Sequence, residues 1–118
     1  MYESHETGIL GENIAEKFLL KNSYEIIEKN FKVKQGEIDI IAKDKDYLVF
    51  IEVKTRKQGM YGIPADAVDN LKKKHILKVA QIYINKYKLH NSFIRIDVIS
   101  IYIKKDNSYN LTHIKQAF

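Results

Sequence analysis

Apolar side chains recur at helical spacing over Ile9, Leu10, Ile14, Phe18 and Leu19, which predicts an amphipathic helix from Thr7 to about Asn22, ended by the polar pair Asn22-Ser23. Tyr24 to Lys34 reads as a strand, with Lys34-Gln35-Gly36 as a turn. Residues 36–43 and 46–55 are apolar runs around the polar connection Asp44-Lys45-Asp46 and predict an antiparallel hairpin. A loop with two glycines, Lys57 to Pro64, precedes a helix from about Asn70 to Lys88 capped by Asp69. Its apolar stripe is Leu71, Ile76, Val79, Ala80, Tyr83 and Tyr87. Ile94–Ile103 and Tyr109–Ile114 complete the pattern as strands around Lys104–Ser108. Helix, three strands, helix and two strands imply an α/β fold with a mixed central sheet flanked by helices. The crossover through the second helix lays the Ile94 strand parallel to the Lys54 strand.

Two of these strands break the rule that buried strands are apolar. Gly36-Glu37-Ile38-Asp39-Ile40-Ile41 and Val49-Phe50-Ile51-Glu52-Val53-Lys54 seat ionisable groups among Ile, Val and Phe. A desolvated charge costs several kcal/mol unless it is paired or bound to a metal. The strand period of two puts Glu37 with Asp39 on one face and Glu52 with Lys54 on one face. If the two faces coincide, three carboxylates meet one amine. Such hard oxygen ligands suit Mg²⁺ or Mn²⁺, and the fitting reaction is metal-assisted phosphodiester hydrolysis.

Asp39 followed by Glu52-Val53-Lys54 also resembles the Asp…Glu-x-Lys pattern of the PD-(D/E)XK nucleases, the restriction-endonuclease-like superfamily. A longer likeness covers nearly the whole chain. It runs through Gly11-Glu12-x-x-Ala15, Asn30-Phe31, Gly36 to Ala42, Val49 to Arg56, Tyr61-Gly62-x-Pro64, Ala67-Val68, Lys72, Arg95 to Val98 and His113-Ile114-x-x-Ala117-Phe118. In these residues the chain resembles the YraN-like family, related to archaeal Holliday-junction resolvases. It departs at Ser23, where that family usually has Gly.

The resemblance implies a single nuclease-like domain over residues 1–118. It implies that Asp39, Glu52 and the Val53 backbone carbonyl hold Mg²⁺ or Mn²⁺, and that Lys54 activates the attacking water and stabilises the transition state. Lys54 as a plain counter-ion of the two acids is the alternative. The resemblance further favours Glu12 as an outer-sphere or second-metal ligand, against a solvated helix Glu. Glu37 is divided between a role at the metal and a solvent pairing with Lys34.

Thr55, Arg56 and Tyr61 are candidate nucleic-acid contacts next to the Lys54 strand. So are Lys72, Lys73 and Lys74, where a phosphate-binding patch competes with a solvated face. Asp97 reads as paired with Arg95 or a lysine. His5, His75, His90 and His113 have neither zinc-ligand nor triad spacing.

Composition narrows the classes. With 118 residues and no cysteine, one domain is expected, without thiol catalysis or Cys-ligated zinc. No run suits a membrane span, and Met1 to Glu6 lack the start of a secretory signal, so a cytoplasmic protein is expected. A net charge of +5 favours a polyanionic partner, and the nuclease resemblance implies DNA more than RNA. The expectation is therefore a metal-dependent nuclease acting on DNA, including branched repair or recombination intermediates. A non-catalytic accessory module of the same fold is the rival. Symmetric cutting of a four-way junction would require a homodimer.

Overall fold

The computed structural model describes residues 5–59 and 70–118. Among them, helix α1 (His5–Lys21) is followed by strands β1 (Glu25–Val33), β2 (Gly36–Asp44) and β3 (Tyr47–Lys57), helix α2 (Asn70–Lys86), and strands β4 (Phe93–Ile103) and β5 (Tyr109–Ile114). The strands form one mixed sheet in the order β1-β2-β3-β4-β5. Neighbours are antiparallel except β3 and β4, which are parallel, as a crossover through a helix requires.

Each face of the sheet carries one helix. Ala15 and Leu19 of α1 pack with Ile40, Ala42, Val49, Ile51, Ile99 and Ile101. Ile76, Val79, Ala80 and Tyr83 of α2 pack with Phe31, Ile38, Ile41, Leu48, Phe50 and Ile96 on the other face. Strand β3 is central and buried on both sides, which explains its nearly continuous apolar run.

The buried line of α1 differs from the stripe of large apolar residues that the spacing predicts. Thr7, Gly11, Ala15 and Leu19 are its buried residues, at steps of four, while Ile9 and Leu10 stay 49% and 43% exposed. The cause is close approach. A Cβ at Gly11 would lie 2.8 Å from Thr55 Cβ and 2.9 Å from Cγ2, and would overlap Thr55 Oγ1. On α2 the central stripe is buried, but Leu71 and Tyr87 at its ends are exposed.

Helix α1 ends in a Schellman turn. Tyr24 N–H donates to Leu19 O at 2.9 Å and Ser23 N–H to Leu20 O at 3.1 Å, with Ser23 in the left-handed region at φ 69°. This is the position where Gly is the more usual residue.

Asp97 is buried at the centre of a polar network under the end of α1. It accepts from Arg95 Nε at 2.9 Å, Arg95 Nη2 at 3.0 Å and Gln116 N–H at 3.0 Å, and lies 2.7 Å from His113 Nε2. Arg95 also reaches Asp44 Oδ2 at 3.0 Å and Tyr24 OH at 2.7 Å. Burial works to raise the Asp97 carboxyl, but the hydrogen bonds from His113, Arg95 and Gln116 outweigh it and hold it below the usual value. Burial pushes the Tyr24 hydroxyl up to about 12, against the opposing Arg95 charge. The network ties together the chain entering β1, the end of β2, strand β4 and strand β5.

Candidate active site

The hairpin opens at one end. The last cross-strand pair between β2 and β3 is Ile40–Ile51. Beyond it β2 continues along β1 to the pair Val33–Gly36, and β3 continues along β4 to Lys57–Ile103. Asp39 and Glu52 are the first residues of their strands past the last shared pair. They therefore stand at the mouth of the gap.

Alternation also breaks at Asp39. Ile40 and Ala42 face α1, whereas Ile38 and Ile41 face α2, so the period of two does not carry across residue 39. Across the β1 side lies Asn30, in the left-handed region at φ 55°. Glu37 is exposed, 3.9 Å from Lys32 rather than beside Lys34, and its charge still reaches Glu12.

Asp39 fills the gap. Val53 N–H donates to Asp39 Oδ2 at 2.7 Å, in place of a main-chain acceptor on β2. Because the N–H and C=O of an extended residue leave the strand on the same side, the Val53 carbonyl opens on the same gap. Asp39 and Glu52 share a hydrogen bond. Burial first, then the Glu52 charge and that hydrogen bond, push the Asp39 carboxyl up to about 9, with Val53 N–H opposing and Glu12 adding. Burial and the neighbouring Glu52 charge thus favour the protonated Asp39 carboxyl in the metal-free protein.

Two ammonium groups complete the arrangement. Lys54 Nζ is 3.3 Å and Lys72 Nζ 3.0 Å from the same oxygen, Glu52 Oε2, on a carboxylate whose side chain is only 6% exposed. Although burial works against its charged form, the Glu52 carboxylate raises Lys72 above its ordinary value. Lys72 comes from the first turn of α2, on the opposite side of the gap from α1.

Glu12 approaches from α1. Burial raises its carboxyl, against a hydrogen bond from the Asn30 side chain; the Glu37 and Glu52 charges add to the rise and Lys29 opposes it. Glu12 therefore belongs to the same electrostatic cluster as Asp39 and Glu52. Among the described residues no three His, Asp or Glu side chains converge tightly enough to form a metal site by themselves.

The other expected contacts are distributed differently. Lys72 lies on Glu52 and is not simply part of a lysine patch. Lys73 Nζ lies 5.5 Å from the centre of the Phe118 ring, and Lys74 is exposed. Thr55 is not open to a phosphate in this arrangement. It is buried against Gly11, with Oγ1 lacking a hydrogen-bond partner among the described residues. Arg56 is half-buried. Tyr61 and the Asp69 cap lie outside the described residues.

The donor set is compatible with a hard divalent ion. Two adjacent carboxyl groups and a main-chain carbonyl face one gap, and cationic charge is already drawn to it. Mg²⁺ and Mn²⁺ take one or two protein carboxylates and fill the rest of their shell with water and phosphate oxygens, so a third protein carboxylate in contact is not required. Two features escaped the sequence reading. Lys72 sits at the acids, and Asn30 supports Glu12; an Asn within a strand, in the Asn30-Phe31 likeness, was the signal for the second.

Residues 11–101 match the profile of the uncharacterised protein family UPF0102. A UPF0102 protein of Clostridium botulinum (strain 657 / Type Ba4) is 47% identical over 99% of this chain and 97% of its own length. Another, from the strain Kyoto / Type A2, is 48% identical over the same shares, and one from the strain Alaska E43 / Type E3 is 46% identical over 96% and 93%. The matched span holds Glu12, Asp39, Glu52, Lys54 and Lys72, and by this agreement the chain belongs to the UPF0102 family.

Proposed function

We propose that this protein is a Mg²⁺- or Mn²⁺-dependent nuclease of the PD-(D/E)XK, restriction-endonuclease-like kind, hydrolysing DNA phosphodiester bonds in the cytoplasm. The observation that carries the reading is the Asp39–Glu52 pair, bonded to each other at the point where β2 and β3 part, with Lys54 Nζ 3.3 Å from Glu52. A purely structural role would not call for two adjacent carboxyls in an apolar hairpin, because burying them opposes ionisation.

In this reading Asp39, Glu52 and the Val53 carbonyl hold the ion. A bound divalent ion supplies charge neutralisation for the phosphate and lowers the pKa of a coordinated water. Lys54 orients the attacking water and donates to the oxygen on which charge develops. Glu12, half-buried beside Asn30, acts on the outer shell of waters. The net charge of +5 favours approach of a polyanion to the protein as a whole. Branched intermediates of repair or recombination are the substrate class, and a symmetric cut would use two copies of the chain.

A second reading has one specific observation in its favour. Both ammonium groups end on Glu52, so the carboxylate is compensated without an ion. That suits an accessory module that binds nucleic acid without turnover. Purified protein incubated with labelled branched, single-stranded and duplex substrates, with Mg²⁺ or Mn²⁺ or with chelator, separates the two. Metal-dependent cleavage that is lost in Lys54→Ala supports the nuclease; binding without cleavage of any substrate supports the accessory module.

A further inference from the structure

The gap between β2 and β3 raises a question of charge that the nuclease reading leaves open. Glu52 Oε2 has Lys72 at 3.0 Å and Lys54 at 3.3 Å. A divalent ion arriving at the same oxygen would meet two positive charges already within hydrogen-bonding range. The two ammonium groups together carry the charge of one such ion, so the three cannot share the oxygen without strong repulsion.

We propose that Lys72 is a built-in occupant of the cation position at Glu52, which a divalent ion displaces on binding. This rests on the reading of Asp39 and Glu52 as metal ligands and adds to it a device that controls loading.

Two observations select Lys72 rather than Lys54 as the group that leaves, and a third makes the exchange a small movement. Lys54 is two residues from Glu52 on the same strand, and its side chain is 27% exposed; that of Lys72 is 45% exposed, on a separate element, and can withdraw into solvent. Lys72 also stands in the first turn of α2, where a cation opposes the helix dipole. The Glu52 carboxylate at 3.0 Å offsets that cost, and an ion that takes over Glu52 removes the offset. Finally, the carboxylate is fixed by a buried central strand, so the exchange moves only a long, flexible side chain.

The test is Mn²⁺ binding to the full chain at low ionic strength, followed by calorimetry, with Lys72→Met and, as control, Lys74→Met. Both substitutions remove one charge from the same helix. Lys72→Met is expected to bind Mn²⁺ about tenfold more tightly than the unchanged protein, and Lys74→Met to stay within about twofold. The rise in melting temperature on adding saturating Mn²⁺ should also be larger in Lys72→Met. A merely structural Lys72 would shift melting equally with and without the ion. Equal affinities of the unchanged protein and Lys72→Met would overturn the displacement while leaving the metal site standing. Failure of both to bind Mn²⁺ would overturn the metal reading and this inference with it. Binding by Lys72→Met alone would support both.

Discussion

Gly11 of α1 lies directly on Thr55 of β3, with no room for a Cβ between them. In an exposed helix interior Ala is favoured over Gly by about 1 kcal/mol. At this position overpacking against a buried, β-branched neighbour opposes that gain, at about 1–3 kcal/mol. Gly11→Ala is therefore expected to lower stability by about 1 kcal/mol, read as a fall in the urea midpoint at constant slope. A midpoint that rises would show that α1 can lift from the sheet without cost.

The two acids should respond differently to neutralisation. Asp39→Asn imitates the protonated carboxyl that burial and Glu52 favour. It should hold or raise the melting temperature without metal. Glu52→Gln strips the partner from Lys54 and Lys72 and should lower it. Both should abolish stabilisation by Mn²⁺. Mn²⁺-induced shifts in either variant equal to those of the unchanged protein would remove that residue from the metal site.

For Lys54 the expected defect is in turnover. Lys54→Ala should retain metal and nucleic-acid binding and lose about a hundredfold or more in single-turnover cleavage at saturating metal, a barrier increase of about 3 kcal/mol. Cleavage at an unchanged rate would make Lys54 a counter-ion of Glu52 and nothing more.

Ser23 has a left-handed backbone at φ 69° and an exposed side chain. Ser23→Gly relieves that conformation and should stabilise the protein by about 0.5–1 kcal/mol. Thermal melting measures it. A loss of stability would mean that the greater freedom of Gly in the unfolded chain prevails.

Acid and base should act on different carboxyls of the metal-free protein. Asp97 is held below its usual value, so its contribution is complete above a pH of about 4, the unfolded value, and is lost as the pH falls through its lower folded value. Asp39 is raised to about 9, so the folded chain keeps a proton that the unfolded chain has released. From that side stability should grow as the pH falls from about 9 towards about 4. Urea denaturation in chelator across this range should show the alkaline slope flattened in Asp39→Asn and the acid slope flattened in Asp97→Asn. Slopes unchanged in both would contradict these assignments.

The hairpin, the parallel crossover and the positions of Asp39, Glu52 and Lys54 were legible because charges inside apolar strands stand out against a strong background. Three features were not. Small residues on α1 give almost no hydropathy signal, so the Gly11 face was hidden behind Ile9 and Leu10. The break of alternation at Asp39 depends on the gap and on backbone choices such as Asn30 at φ 55°, which residue spacing does not encode. Lys72 could be assigned to a helix, but helical periodicity does not state which strand end that helix meets. Its pairing with Glu52 is a product of the crossover.

The hydrogen bond from Val53 N–H to Asp39 gives the chain an internal probe. In a continuous ladder that amide would be bound to main chain and indifferent to chemistry. Here its acceptor is a side-chain oxygen at 2.7 Å. Whatever alters Asp39, whether loss of its proton, capture by an ion or rotation toward another partner, alters the shielding and solvent exchange of this one amide. Occupancy of the gap is thereby written into a backbone resonance, readable without a label on the ligand and without turnover.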